Sequence, residues 1–301
     1  MNKAIVTLAI GDPYTEQWNT LCKENWGRYA SKRGYDIICI DTPLDSSTRA
    51  KSRSPAWQKC LVLSQPWSEK YERIVWVDAD ILMNPYAPDV SEGVPLEKVG
   101  AADEYSYPTA ELHQIALDRF YKYLRSTGAS FLEEYTGQQY HANYGLPAEF
   151  NKVVQTGVLV FNPKYHRKIL ENIYQVHEDK PGPLWGEMRA VSYELQKENI
   201  VHWIDPRFNA LCGIYFALYR PYSVTRTLNE SKFGRPIRRI YHSRFEKLFA
   251  RIYSRFGRLF APAADTDVLL KSAYINNYFL HFAACKEDLP RLKWKDIDLS
   301  S

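Results

Sequence analysis

Arg73-Ile74-Val75-Trp76-Val77-Asp78-Ala79-Asp80-Ile81-Leu82-Met83-Asn84-Pro85 is the stretch on which the fold turns. Its first five residues are dominated by β-branched and aromatic side chains, which predicts a buried strand over Arg73–Val77. The strand stops at two carboxylates separated by one residue. In open α/β sheets the carboxyl ends of parallel strands are where ligands bind. In extended chain the i and i+2 side chains share a face, so Asp78 and Asp80 can converge on one hard divalent cation, or on a ribose hydroxyl plus that cation. Oxygen ligands of this kind suit Mg²⁺ or Mn²⁺, usually completed by substrate phosphates. The plainer alternative is that Asp78 caps the strand end and Asp80 caps a following turn.

Working outward, the N-terminal half alternates strand and helix signals, which predicts an α/β fold around an open, mostly parallel sheet with flanking helices. Lys3–Ile10 reads as a buried strand running into Gly11-Asp12-Pro13. Tyr14–Lys32 carries Trp18, Leu21, Cys22, Asn25 and Tyr29 at helical spacing. Tyr35–Ile40 reads as a strand and Ala56–Trp67 as a helix, so the order up to Val77 is βαβαβ. Residues 103–150 break this rhythm with a helix near Glu111–Arg125 among many tyrosines, and read as an insertion over the sheet edge. Val153–Phe161 resumes as a strand, Pro163 opens a helix at its favoured first position, and Glu187–Lys197 is a helix before the strand Val201–Ile204.

The chain has 301 residues and 45% hydrophobic content, enough for one large core or two modest ones, and excludes fibrous or disordered classes. Its 22 Tyr and 8 Trp exceed what a core needs and suit surfaces that meet sugars or nucleobases. The apolar run Ala4–Ile10 is too short for a membrane span or a signal peptide. Five cysteines without a CxxC pair indicate neither a disulfide framework nor a zinc ribbon, so a reducing, cytoplasmic setting is expected. Charge is uneven: residues 235–258 carry +7, leaving −3 for the rest. Within Arg235–Phe260 an aromatic stripe and a basic stripe share helical spacing. This predicts either an amphipathic helix on an anionic membrane surface or a helix packed on the core with its charges solvated. No nucleic-acid motif accompanies the charge, and no nucleic-acid partner is expected.

The Asp78-Ala79-Asp80 motif at a strand end resembles that of GT-A-fold (Rossmann-like) glycosyltransferases, whose DxD binds a nucleotide-sugar through a divalent metal. Ser54-Pro55-Ala56-Trp57-Gln58-Lys59 is similar to a helix opening of families 8 and 34, in which a lysine approaches the donor. Thr156-Gly157-Val158-Leu159-Val160-Phe161-Asn162 is similar to their Asn-Thr-Gly strand, with Gln155 where Asn is usual. Glu187–Asn209 resembles the segment after their acidic-Gln pair, with Met188 in place of Gln. His281-Phe282-Ala283-Ala284-Cys285 is similar to the C-terminal His-Phe-x-Gly-Cys of family 34, whose histidine completes the metal site.

The resemblance implies a catalytic core over residues 1–212, including the insertion, and a basic helical and closing region over 213–301 that carries His281. It implies Asp78, Asp80 and His281 as ligands of Mn²⁺ (or Mg²⁺), and Glu187, Gln155 and Lys59 as catalytic candidates. Ile10, Gly11, Asp12, Tyr14, Lys59, Asp78, Ala79 and Asp80 are the candidates for holding the nucleotide-sugar, a UDP-sugar being favoured. A nucleobase could stack on Tyr14, although Gly-Asp-Pro is also an ordinary turn. The implied reaction is transfer of a hexose, galactose first, with retention, to a glycan or lipid-linked glycan, on the inner face of a membrane if the basic segment docks there. Two competing expectations remain. A strand followed by Asp-x-Asp also resembles haloacid-dehalogenase-type Mg²⁺-dependent phosphatases, and a non-enzymatic peripheral membrane or polyanion-binding protein could be organised around Arg235–Phe260.

Overall fold

In Lys3–Leu8 (β1) the consecutive residues Ala4, Ile5 and Val6 are all fully buried, which requires cover on both faces. The computed structural model supplies it. It describes residues 2–127, 131–219, 263–283 and 285–297. Strand β1 lies between β2 (Tyr35–Ile40) and β3 (Arg73–Val77), parallel to both. The sheet continues through β6 (Val154–Phe161) and β5 (Val99–Asp103) to β7 (Val201–Trp203), in the order β2-β1-β3-β6-β5-β7. Five strands point the same way and β6 alone runs against them. That reversal brings the start of β6, Gln155-Thr156-Gly157, to the edge where β3 ends: Val77 pairs with Val158. Beside it the β5–β6 register is interrupted between Ala101 and Ala102, an irregularity of the kind that re-aims side chains next to sites.

Between β1 and β2 the expected helix is divided. Asp12–Gln17 (α1) widens into a π-helical turn at Trp18–Cys22 and continues as α2 (Lys23–Arg33), ended by Gly34 at φ 71°. The wide turn buries Trp18 and Cys22, and Trp18 meets Trp26 edge-on with centroids 4.5 Å apart. After the one-turn helix α3 (Thr48–Lys51), Ala56–Trp67, expected as a helix, is a 3₁₀ segment, Pro55–Ser64, capped by Ser54 and followed by a second, Pro66–Lys70. Its threefold period aligns Trp57, Cys60 and Leu63, all fully buried, in one row.

The insertion begins where β5 ends. It carries the helices α4 (Ala110–Thr127) and α5 (Gly137–Asn143), and the chain then passes through β6 to α6 (Pro163–Val176) and α7 (Met188–Lys197). A second sheet, absent from the sequence reading, has three short strands in the order β4 (Ile81–Met83), β9 (Phe279–His281), β8 (Ala210–Leu211). It ties the chain just after Asp80 to the C-terminal region. The helix Ala263–Asn276 and the segment up to Trp294 share one hydrophobic cluster with β4, α2 and α4. The amphipathic helix expected over Arg235–Phe260 lies outside the described residues. Among the described residues no helix is long and apolar enough to cross a membrane, and the five cysteines are free thiols.

Candidate active site

At the end of β3 the Asp78 N–H donates to the Gly157 carbonyl at 2.9 Å, which hooks the DxD onto β6. Ile81 N then donates back to the Asp78 carbonyl at 3.2 Å. Asp78-Ala79-Asp80 is therefore a turn, and strand alternation is not what unites the two carboxylates. Their convergence comes from the small sheet: β4 runs antiparallel to β9 with Ile81 opposite His281, and Phe282 N donates to the Asp80 carbonyl at 3.0 Å. One ligand atom from each of Asp78, Asp80 and His281 lies within 4.8 Å of the others, the one such group among the described residues.

The imidazole is oriented from behind. Gln155 Oε1 accepts from Gly157 N and from Asn209 Nδ2, which leaves Asn209 Oδ1 to accept from His281 Nδ1 at 2.8 Å. The other ring nitrogen, Nε2, then faces Asp80 Oδ1 at 3.3 Å and Asp78 Oδ2 at 4.0 Å. Spacings of about 3–4 Å are those of atoms sharing a cation bound at about 2.1 Å. Two carboxylate oxygens and an imidazole held by a hydrogen-bonded amide suit Mn²⁺ and accommodate Mg²⁺. Burial would raise the Asp80 carboxyl, but the charge and hydrogen bond of His281 outweigh it and hold it down at about 2. Burial opposes charge on His281, and the Asp80 carboxylate reverses this and keeps the imidazole above its ordinary range. Gln155 thus belongs to the chain of side chains that aims His281.

On the opposite side of Asp78, Lys59 is brought in by the 3₁₀ segment. Its Nζ is 3.3 Å from Asp78 Oδ1, 2.6 Å from Glu187 Oε1 and 3.1 Å from the Thr156 carbonyl. Trp76 Nε1 also donates to Asp78 Oδ1, at 2.7 Å, and the Thr156 hydroxyl donates to Glu187 Oε1 at 2.8 Å. Burial works against the Lys59 charge, but Asp78 and Glu187 more than compensate and hold the ammonium above its usual value. Burial likewise opposes ionisation of Glu187, and Lys59 overcomes it. Both side chains are charged and fixed.

The rim carries the remaining candidates. Tyr14 is exposed in α1, and the Lys286 Nζ that stands 5.8 Å from its ring centroid is 3.6 Å from Asp80 Oδ2. Tyr14 and the DxD are thus linked through the Lys286 side chain. Gly11, at φ 89°, ends the turn after β1, with the partly buried Ile10 before it and the exposed Asp12 opening α1. The Ala79 carbonyl is engaged within the protein, accepting from Cys22 Sγ at 3.2 Å and from Gln17 Nε2 at 3.4 Å.

Four residues at the site had no role in the sequence reading: Asn209, Thr156, Lys286 and Glu104. Glu104 follows β5, whose Val99-Gly100-Ala101-Ala102-Asp103-Glu104 is a second apolar strand ending in two acids, a signal open to the reasoning applied to β3. Its Oε2 is sealed from solvent without a hydrogen-bond partner. Burial pushes this carboxyl up to about 7 against the pull of His281.

No family model matches the sequence, and no curated protein matches it. Solved structures do. A glycosyltransferase involved in the glycosylation of the major capsid of PBCV-1 is 14% identical with a TM-score of 0.47, covering 96% of this chain and 100% of that one. The bifunctional glycosyltransferase WbbM is 13% identical with a TM-score of 0.49; 98% of this chain corresponds to 50% of WbbM. The galactosyltransferase LgtC, solved with donor and acceptor sugar analogues, is 11% identical with a TM-score of 0.42, covering 72% of this chain and 79% of that one. These glycosyltransferases are what the chain is similar to in structure.

Proposed function

We propose that this protein is a metal-dependent glycosyltransferase that moves a hexose from a nucleotide-diphosphate sugar, a UDP-sugar and galactose first, to a glycan or lipid-linked glycan acceptor. The observation that carries it is the convergence of Asp78, Asp80 and His281 at the carboxyl edge of the sheet, with the buried Lys59–Glu187 pair against Asp78. A bound Mn²⁺ or Mg²⁺ would neutralise the diphosphate on which negative charge develops as the sugar departs.

The chain's own groups have separable tasks. Asn209 and Gln155 hold Nε2 of His281 on the ligand position. Lys286, exposed beside Asp80, meets the phosphates, and Tyr14, the exposed ring next to that lysine, stacks on the base. Glu187, ionised and held by Lys59 and Thr156, places fixed negative charge where the anomeric carbon turns cationic. With retention, the acceptor hydroxyl arrives on the face the diphosphate leaves and gives its proton to the departing phosphate. A phosphatase would need Asp78 as a free nucleophile, whereas its Oδ1 accepts from Trp76 and faces Lys59, and the motif follows the third strand instead of the first.

Thermal unfolding with UDP- and GDP-sugars, with and without Mn²⁺, tests the reading, because a ligand specific for the folded state raises the melting temperature. A metal-dependent shift with one nucleotide-sugar supports it, and the absence of any such shift overturns it. NMR of the anomeric proton in the product then reports retention or inversion.

A further inference from the structure

Helix α7 starts from Glu187 as its N-cap residue, and Arg189, two residues on, reaches into the insertion. Its buried guanidinium donates to both oxygens of Glu134, each at 2.8 Å, and to the Tyr140 carbonyl, and it lies 3.8 Å from the centroid of the Tyr140 ring. Glu134 is held on its other sides. Asn143 Nδ2 donates to its Oε1 at 2.8 Å, and the Tyr121 hydroxyl donates to its carbonyl and accepts from its N–H. A buried ion pair adds little stability over apolar side chains of the same volume, but its fork geometry admits one alignment. Here it aligns α5, the helix of Tyr140, with the residue next to the reacting centre.

Tyr140 is only partly buried, and its hydroxyl has no hydrogen-bond partner among the described residues. It sits among the charges of Arg189, Glu104, Glu134 and Glu187, and burial keeps the phenol protonated, a donor. A free phenol donor on a partly exposed aromatic ring suits a sugar, which offers a hydroxyl to the donor and a C–H face to the ring.

We propose that the insertion is the wall of an acceptor-sugar subsite, in which the Tyr140 hydroxyl binds a sugar hydroxyl and the Glu134–Arg189 pair is the positioning element that keeps it in register with Glu187. This rests on the transferase reading above. The test follows unfolding of the wild-type chain, Tyr140→Phe and Arg189→Lys with UDP and Mn²⁺, with and without methyl glycosides of galactose, glucose, mannose and xylose. The expected result is a further shift by one glycoside on the wild type, and roughly three- to tenfold weaker glycoside binding for Tyr140→Phe, the worth of one hydrogen bond. The UDP–Mn²⁺ shift should be unchanged. Arg189→Lys, which keeps the charge and loses the fork, should weaken glycoside binding similarly, and the melting temperature without ligand reports its folding separately. No glycoside shift on the wild type, or equal glycoside affinity in Tyr140→Phe, overturns the subsite while the UDP–Mn²⁺ shift stands. Loss of the UDP–Mn²⁺ shift in the wild type overturns the transferase reading instead.

Discussion

The imidazole of His281 packs so close to Gly157 that a Cβ at 157 would fall 2.6 Å from Cε1 and 2.8 Å from Nδ1. Neither neighbour can yield without moving the ring off its hydrogen bond to Asn209. Gly157→Ala should therefore weaken Mn²⁺ binding by about 10- to 100-fold, the usual cost of disturbing a ligand's support. Asn209→Ala should do the same through the other nitrogen. Titration calorimetry of Mn²⁺ into each variant is the check, and wild-type affinity in both would refute the assigned metal site.

Asp80→Asn should abolish the metal-dependent response to nucleotide-sugars and also change acid unfolding of the metal-free protein. The wild-type carboxyl is held at about 2 against an ordinary 3.8, so its stabilisation is complete above 3.8 and disappears as pH falls through about 2. The variant has no such carboxylate to stabilise, and its denaturant midpoint should vary less with pH between 4 and 2 than that of the wild type.

For Glu104 the sign is opposite. The folded protein keeps a proton on this carboxyl up to about 7, whereas the unfolded chain releases it near 4.5. The folded state binds more protons in that window, so stability declines as pH rises across it, by an amount on the order of 2 kcal/mol. Glu104→Gln should flatten the decline. Urea unfolding of metal-free wild type and variant at pH 5 and pH 8 measures the difference.

Lys59 is a cation shared by two carboxylates, Asp78 and Glu187. Lys59→Met leaves Glu187 and Asp78 without their cation and should cost about 3–5 kcal/mol, as for other buried pairs deprived of one partner. The double variant Lys59→Met, Glu187→Gln should recover part of this, because the uncompensated buried charge is gone. Chemical denaturation of the single and double variants decides it.

Strands β2 and β3 were legible to the residue, because a short run of β-branched and aromatic side chains bounded by turns admits little else. The DxD declared itself for the same reason. The 3₁₀ form of Pro55–Ser64 was not legible, since its apolar spacing satisfies a helix of either pitch. Nor was the three-stranded sheet: β8 has two residues and β4 and β9 three each, too short to show alternation, yet they bring His281 to Asp80. Resemblance pointed to His281 and Gln155 without their geometry. Asn209 was invisible as a support because its partners, Gln155 and His281, are distant along the chain.

That small sheet also joins distant parts of the chain. All six strands of the main sheet lie before Ile204 in the sequence, but the third member of the candidate metal group comes only with Phe279–His281. A chain without Phe279–His281 would offer a cation two carboxylates and no imidazole. On the reading proposed above, the grip on a cation is therefore a property of the assembled fold and not of the motif: the two acids that leave β3 together stay incomplete until a distant strand docks beside them.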